Sequence, residues 1–139
     1  MAESGRVLGL DLGDVRIGVA ISDPERRLAV PYGTVHTGAP ADVKALAAIA
    51  KESDITLIVV GHPKSMSGES GSQAKKAEEF AGVLHDALGL AVVLQDERLS
   101  TSEAERELAK AGVKGQKRRG VVDQSAATVI LQAFLDAST

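Results

Sequence analysis

The sequence predicts an α/β domain, a five-stranded mixed β-sheet flanked by α-helices, and three observations carry that prediction. The hydrophobic period switches between two and 3.6 residues in an ordered way along the chain. The first third reads as three short strands linked by turns, which makes neighbouring strands antiparallel. The remainder alternates helical segments with short apolar runs, the pattern of parallel strands covered by helices on both faces. A chain of 139 residues, 44% of them apolar, suits one domain over residues 1–139 that buries roughly two-thirds of its unfolded surface.

Residues 6–12 and 16–22 read as a hairpin across Gly13 and Asp14, and "RLAVPYGTVHT" as a third strand, with Pro31 marking an edge or a bulge. Residues 42–53 place Val43, Leu46, Ala47 and Ile49/Ala50 on one helical face. The run "TLIVVG" is β-branched and apolar on both faces, as expected of a central parallel strand. A loop over residues 61–73 leads into a helix with Ala74, Ala77, Ala81, Leu84 and Leu88 in register, and Leu90–Gln95 reads as a second buried strand. Ser100 and Glu103 form a capping box for a helix that runs to about Lys110 and stops at Gly112. Residues 123–136 form the last helix, with Asp123, Ala126/Ala127, Ile130 and Phe134 on one stripe.

Composition removes several function classes. The chain has no cysteine, which excludes disulfides and thiolate metal sites, and its three scattered histidines, His36, His62 and His85, argue against a histidine-rich site, so any metal is expected to be held by oxygen. The opening "MAESGRVLGL" carries no secretory pattern and no run of about 18 apolar residues follows, which fits a soluble protein with no membrane partner. The formal net charge is −3, so a nucleic-acid partner must be held by local basic patches. Tyr32, Phe80 and Phe134 are the only aromatic residues, too few for a base-stacking platform.

Three acidic positions stand out. Alternation in the first strand groups Leu8, Leu10 and Leu12 on one face and Val7, Gly9 and Asp11 on the other. Asp11 therefore sits beside a glycine that permits close approach, although capping the following turn is an equally ordinary use of it. Asp96 and Glu97 emerge at the C-terminal end of a strand, where sheets with parallel strands bind ligands. Neighbours on a strand face opposite ways, so one of the two shares the face of Asp11; Glu97 is favoured and Asp96 is the fallback. Either acid could instead be a solvated strand end or a partner of Arg98. Asp123 heads the buried stripe of the last helix, where it could also serve as an N-cap. Three converging carboxylates repel one another unless a cation is present. Carboxylate-only ligands suit Mg²⁺ or Mn²⁺, and a pair of such ions is suited to phosphodiester hydrolysis.

The basic residues fall in two groups. The loop 61–73 carries Gly68, Gly71 and Lys64, with Lys75 and Lys76 just beyond it, and is suited to a phosphate, although it lacks the ending of a nucleotide-binding P-loop. "VKGQKRRG" supplies Lys114, Lys117, Arg118 and Arg119 immediately before Asp123, either as a solvated loop or as a grip on flanking phosphates. Arg16, near the turn after Asp11, either contacts phosphate or pairs with Asp14, and Arg98 joins the candidate nucleic-acid contacts. His62 is expected to be a surface histidine.

Taken together, "VLGLDLGDVRIGVAISD", "VVGHPKSMSGESGSQA", "DERLSTSEAE" and "VDQSAATVILQAFL" resemble, in order and over essentially the whole chain, the YqgF family, also called RuvX, of Holliday junction resolvase-like proteins and pre-16S rRNA nucleases. The resemblance implies an RNase H-like fold and a cytoplasmic, metal-dependent nuclease that processes the 5′ end of pre-16S rRNA. It maps the family's first-strand acid onto Asp11, the acid of the "DER" motif onto Glu97 with Asp96 adjacent, and the helix acid onto Asp123. The chain departs from the family at His62, Ser65 and Ser67, where the loop commonly carries Leu, Asn and Asp.

Three rival readings are separable. A sugar-kinase or actin-type ATPase shares the first motif but needs a second domain, for which 139 residues leave no room. A non-catalytic RNA-binding assembly factor would keep its effect after the loss of Asp11. A resolvase of four-way DNA junctions makes two coordinated cuts and so acts as a dimer; the sequence fits a monomer or a homodimer and marks no dimer surface.

Overall fold

The computed structural model describes residues 5–63, 71–96 and 115–138, with the last helix given as backbone only up to residue 125. Three N-terminal strands, β1 (Arg6–Leu12), β2 (Arg16–Ser22) and β3 (Ala29–His36), are followed by α1 (Ala41–Glu52), β4 (Ile55–His62), α2 (Ser72–Leu88), β5 (Ala91–Asp96) and α3 (Gly115–Ala137). The five strands form one sheet in the order β3-β2-β1-β4-β5. β1 is antiparallel to β2 and parallel to β4, and β5 adds in parallel to β4. The mixed sheet is thus the expected one, with β1 and β4 at its centre.

Strand alternation divides the core in two. Leu8, Leu10, Ile17, Val19, Ile58 and Val60 face α1 and α2, whose inner stripes include Leu46, Ile49, Ala77, Ala81 and Leu84. Val7, Ala20, Ala29 and Val59 face α3 through Ala127, Ile130, Leu131 and Leu135. The small stripe Ala74, Ala77 and Ala81 is fully buried or nearly so, which lets α2 lie close on the sheet. Gly89, at φ +70, ends this helix by donating its N–H to the His85 carbonyl.

α3 lies closer still, because Gly9 has no side chain. A Cβ at Gly9 would stand 2.7 Å from the Leu131 Cβ and 3.3 Å from the Ala127 carbonyl oxygen. Both obstacles are rigid parts of the helix, so neither can swing aside. Gly9→Ala is therefore expected to destabilise the fold by about 1–3 kcal/mol, the usual cost of forcing a methyl into a packed core; urea unfolding of the two proteins checks it.

Four local readings are corrected. The strands have the expected bounds, but the turn between them spans Gly13–Val15 rather than Gly13 and Asp14, and Arg16, already in β2, pairs with His36 of β3. β5 lies at the sheet edge and is half-exposed instead of buried, with Leu94 40% exposed. Its apolar composition misleads because only one strand, β4, flanks it. α3 is already helical at Gly115, eight residues before the expected start, because Gln116 to Arg119 are good helix formers and Gly120 only weakens a helix. His62 is buried, for a reason given below. Pro31 marks both an edge and a bulge, since β3 is the outer strand and its register with β2 slips by one residue there. The expected helix over 100–110 lies outside the described residues.

The β2–β3 connection is closed by Asp23, whose Oδ1 accepts the N–H groups of Leu28 at 2.9 Å and Arg27 at 2.8 Å. These two hydrogen bonds hold its carboxyl below the usual carboxylate range.

Candidate active site

The candidate residues gather toward the C-terminal ends of β1 and β5, the end at which parallel strands present ligand-binding groups. Asp11 is half-buried near the end of β1, opposite Gly18 of β2. The alternation that sends Leu10 toward α1 and α2 sends Asp11, with Val7 and Gly9, to the α3 face. Glycines at positions 9 and 18 keep that face low around the carboxylate.

The direction of α3 follows from its contacts. Gln132 donates to the Arg27 carbonyl and accepts the Ala29 N–H at 2.8 Å, at the level of Ser22 and Val7. Ala127 and Leu131 lie over Gly9. Falling residue numbers on α3 therefore lead toward the Asp11 end of β1, and Asp123 is one helical turn beyond Ala127 in that direction. Asp123 is the ninth residue of the described helix, which removes an N-cap role for it. Lys117, Arg118 and Arg119 belong to the first turns of the same helix, with Arg119 one turn before Asp123.

Asp96 ends β5 on the other face. Val92 packs with the α1/α2 core and Val93 with the α3 core, so alternation puts Asp96, the Cα partner of His62, on the α1/α2 side. Glu97, Arg98, Lys64 and Lys114 lie outside the described residues. Lys75 is exposed in the first turn of α2, and Arg16 is exposed at the start of β2. Gly71 caps α2 by its backbone alone, and Gly68 lies outside the described residues. Among the described residues no three histidine, aspartate or glutamate side chains cluster as an ion site.

Two buried polar groups escaped the sequence reading. His62 is 8% exposed, its Nε2 lying 2.8 Å from Glu78 Oε2 on α2. It ends a central strand on the face that α2 covers, so it is a partnered core histidine and not a surface one. Asp42, 4% exposed, accepts the N–H groups of Gly38 and Val43. Its only sequence signal is an acid in the first turn of a helix directly after "GAPA".

Comparison with known proteins places this geometry. The family model described as "RuvX: Holliday junction resolvase" matches residues 5–137. The chain belongs to the RuvX family. Relatives similar to this chain in sequence include proteins of Myxococcus xanthus, 47% identical over 95% of this chain and 88% of its own, and of Pelotomaculum thermopropionicum, 44% identical over 94% and 86%, each named "Putative pre-16S rRNA nuclease". In structure, the chain is similar to T. thermophilus RuvC in complex with a Holliday junction substrate, at TM-score 0.57, 19% identity and coverage of 96% and 95%. A second T. thermophilus RuvC structure matches at TM-score 0.54 and 15% identity. The fold is accordingly RNase H-like. No helix among the described residues is long and apolar enough to cross a membrane.

Proposed function

We propose that this chain is a metal-dependent endonuclease that hydrolyses phosphodiester bonds at the 5′ end of pre-16S rRNA in the cytoplasm, with Asp11, Glu97 and Asp123 as its acidic site. The observation that carries the reading is the placement of Asp11 at the ligand-binding end of β1, on the face along which α3 brings the backbone of Asp123 back. Curated relatives bearing the nuclease name support the activity. Asp96 lies on the opposite face, which supports Glu97 over Asp96 as the acid of the site.

This donor set is all carboxylate oxygen, the chemistry that fits Mg²⁺ or Mn²⁺. When bound, a pair of such ions supplies Lewis acidity to the phosphate and a water of lowered pKa. The chain's own part is to hold and orient. The three carboxylates would hold the ions at the end of β1, and Arg16, Lys64, Lys75, Arg98, Lys117, Arg118 and Arg119 would hold the phosphates that flank the reacting one. Doubly substituting Arg118→Glu and Arg119→Glu is expected to weaken RNA binding and to flatten the slope of log affinity against log salt by about 1.4, two contacts at about 0.7 each on single strands; filter binding across a salt series measures it.

The test is cleavage of end-labelled pre-16S rRNA 5′ leader beside a synthetic four-way DNA junction, each with Mg²⁺, Mn²⁺ or chelator. Metal-dependent cutting of the leader is the expected result. Cutting of the junction alone would favour the second reading, a junction resolvase, which rests on the description of the matching family. Intact binding of the leader without cutting by any metal would overturn both in favour of a binding factor.

A further inference from the structure

On the face of the sheet opposite α3, a cavity of about 310 Å³ opens at the C-terminal ends of β1 and β4. That is the lower end of the volume range of small-molecule sites. Leu12, Ile17 and Phe80 supply its apolar walls, while Asp42 from α1, Gln73 and Lys76 from α2, and Asp14 and Thr37 from the connecting loops supply polar groups. None of these residues belongs to the acidic site. We propose that this cavity is a base-recognition pocket that takes one unstacked guanine, and the proposal rests on the nuclease reading only for its RNA source.

The chemistry of the walls selects the ligand. Apolar walls that include an aromatic side chain suit a heterocycle. Asp42 Oδ2 accepts one N–H from Gly38 at 3.1 Å and Oδ1 one from Val43 at 2.7 Å; each oxygen of a carboxylate has a further lone pair. A carboxylate held by two backbone donors in a nearly buried position is an acceptor pair of fixed direction. Its complement is two adjacent donors on a flat body, which guanine presents as N1–H and N2–H, whereas adenine presents only its exocyclic amine. Gln73 and Lys76 are exposed, placed to meet the sugar and phosphate that trail such a base.

The position agrees with the chemistry. Leu12 follows Asp11 directly, and strand alternation turns one into the cavity and the other to the α3 face. A single strand crossing the C-terminal rim of the sheet would meet both. The pocket thus assigns a preference for guanine close to the cut.

The test titrates the full-length chain with GMP, AMP, ribose 5-phosphate and agmatine by calorimetry, in chelator, so that its outcome is independent of metal-dependent cleavage. GMP is expected to saturate, and AMP to bind at least about 10-fold more weakly, within the range of one bidentate base contact. Ribose 5-phosphate and agmatine should not saturate. Asp42→Asn, verified as folded by circular dichroism, should abolish the preference for GMP over AMP, and Gln73→Trp, at an exposed position on the rim, should block GMP without touching the core. No saturation by millimolar GMP, equal binding of AMP, or equal binding of agmatine would each overturn the proposal; so would GMP binding unchanged in both variants. A second arm compares leaders that differ only by G or A beside the cut. A preference for G, lost in Asp42→Asn, places the base within the substrate strand; GMP binding with no such preference assigns the pocket to a free nucleotide. GMP binding by a chain that cuts no RNA would sink the nuclease reading and uphold the pocket.

Discussion

Asp11→Asn is expected to reduce metal-dependent cleavage of the pre-16S leader by at least about 10²-fold, the lower range for removing a group that acts at the reacting centre. The amide keeps the shape of the side chain and removes the negative charge. Folding should survive, because β1 is held by Leu8 and Leu10 on one face and Val7 on the other, each with no exposed surface. Equal thermal unfolding of the two proteins, beside the loss of cleavage, would separate a chemical role from a structural one. A variant that cuts at the unsubstituted rate would remove Asp11 from the site.

Glu97→Gln and Asp96→Asn should behave as a contrasting pair. The first is expected to cost cleavage at least about 10²-fold by the same argument, and the second to leave it within a few-fold. The contrast follows from the pleat of β5, which directs Asp96 to the side of His62 and Glu78. Single-turnover rates on the end-labelled leader decide the matter. The opposite ranking would mean that the strand end twists by one residue and that Asp96 is the ligand.

Local patterns made most of the architecture legible. The alternation of Leu8, Leu10 and Leu12 against Val7, Gly9 and Asp11 is enough to assign faces, and Pro31 is enough to mark an edge or a bulge. The misreadings arose where a residue's fate depends on what packs over it. Leu90–Gln95 is as apolar as a central strand but ends the sheet. His62 looked like a loop histidine because its cover, Glu78, is sixteen residues away. The start of α3 is hard to read because Asp123 resembles a helix boundary, although the preceding lysine and arginines favour a helix. Asp42 carries little signal because the cavity it faces is assembled from five separate elements, β1, β2, α1, β4 and α2.

The missing side chain at Gly9 acts as a spacer gauge. With no methyl between strand and helix, the distance between the backbone of β1 and that of α3 is set by direct contact two residues before Asp11 and one turn after Asp123. In the proposed site these two segments each bring one acid. A methyl at Gly9 would therefore do more than loosen the core: it would widen the gap that an ion has to bridge, so cleavage should fall further than the lost stability alone accounts for.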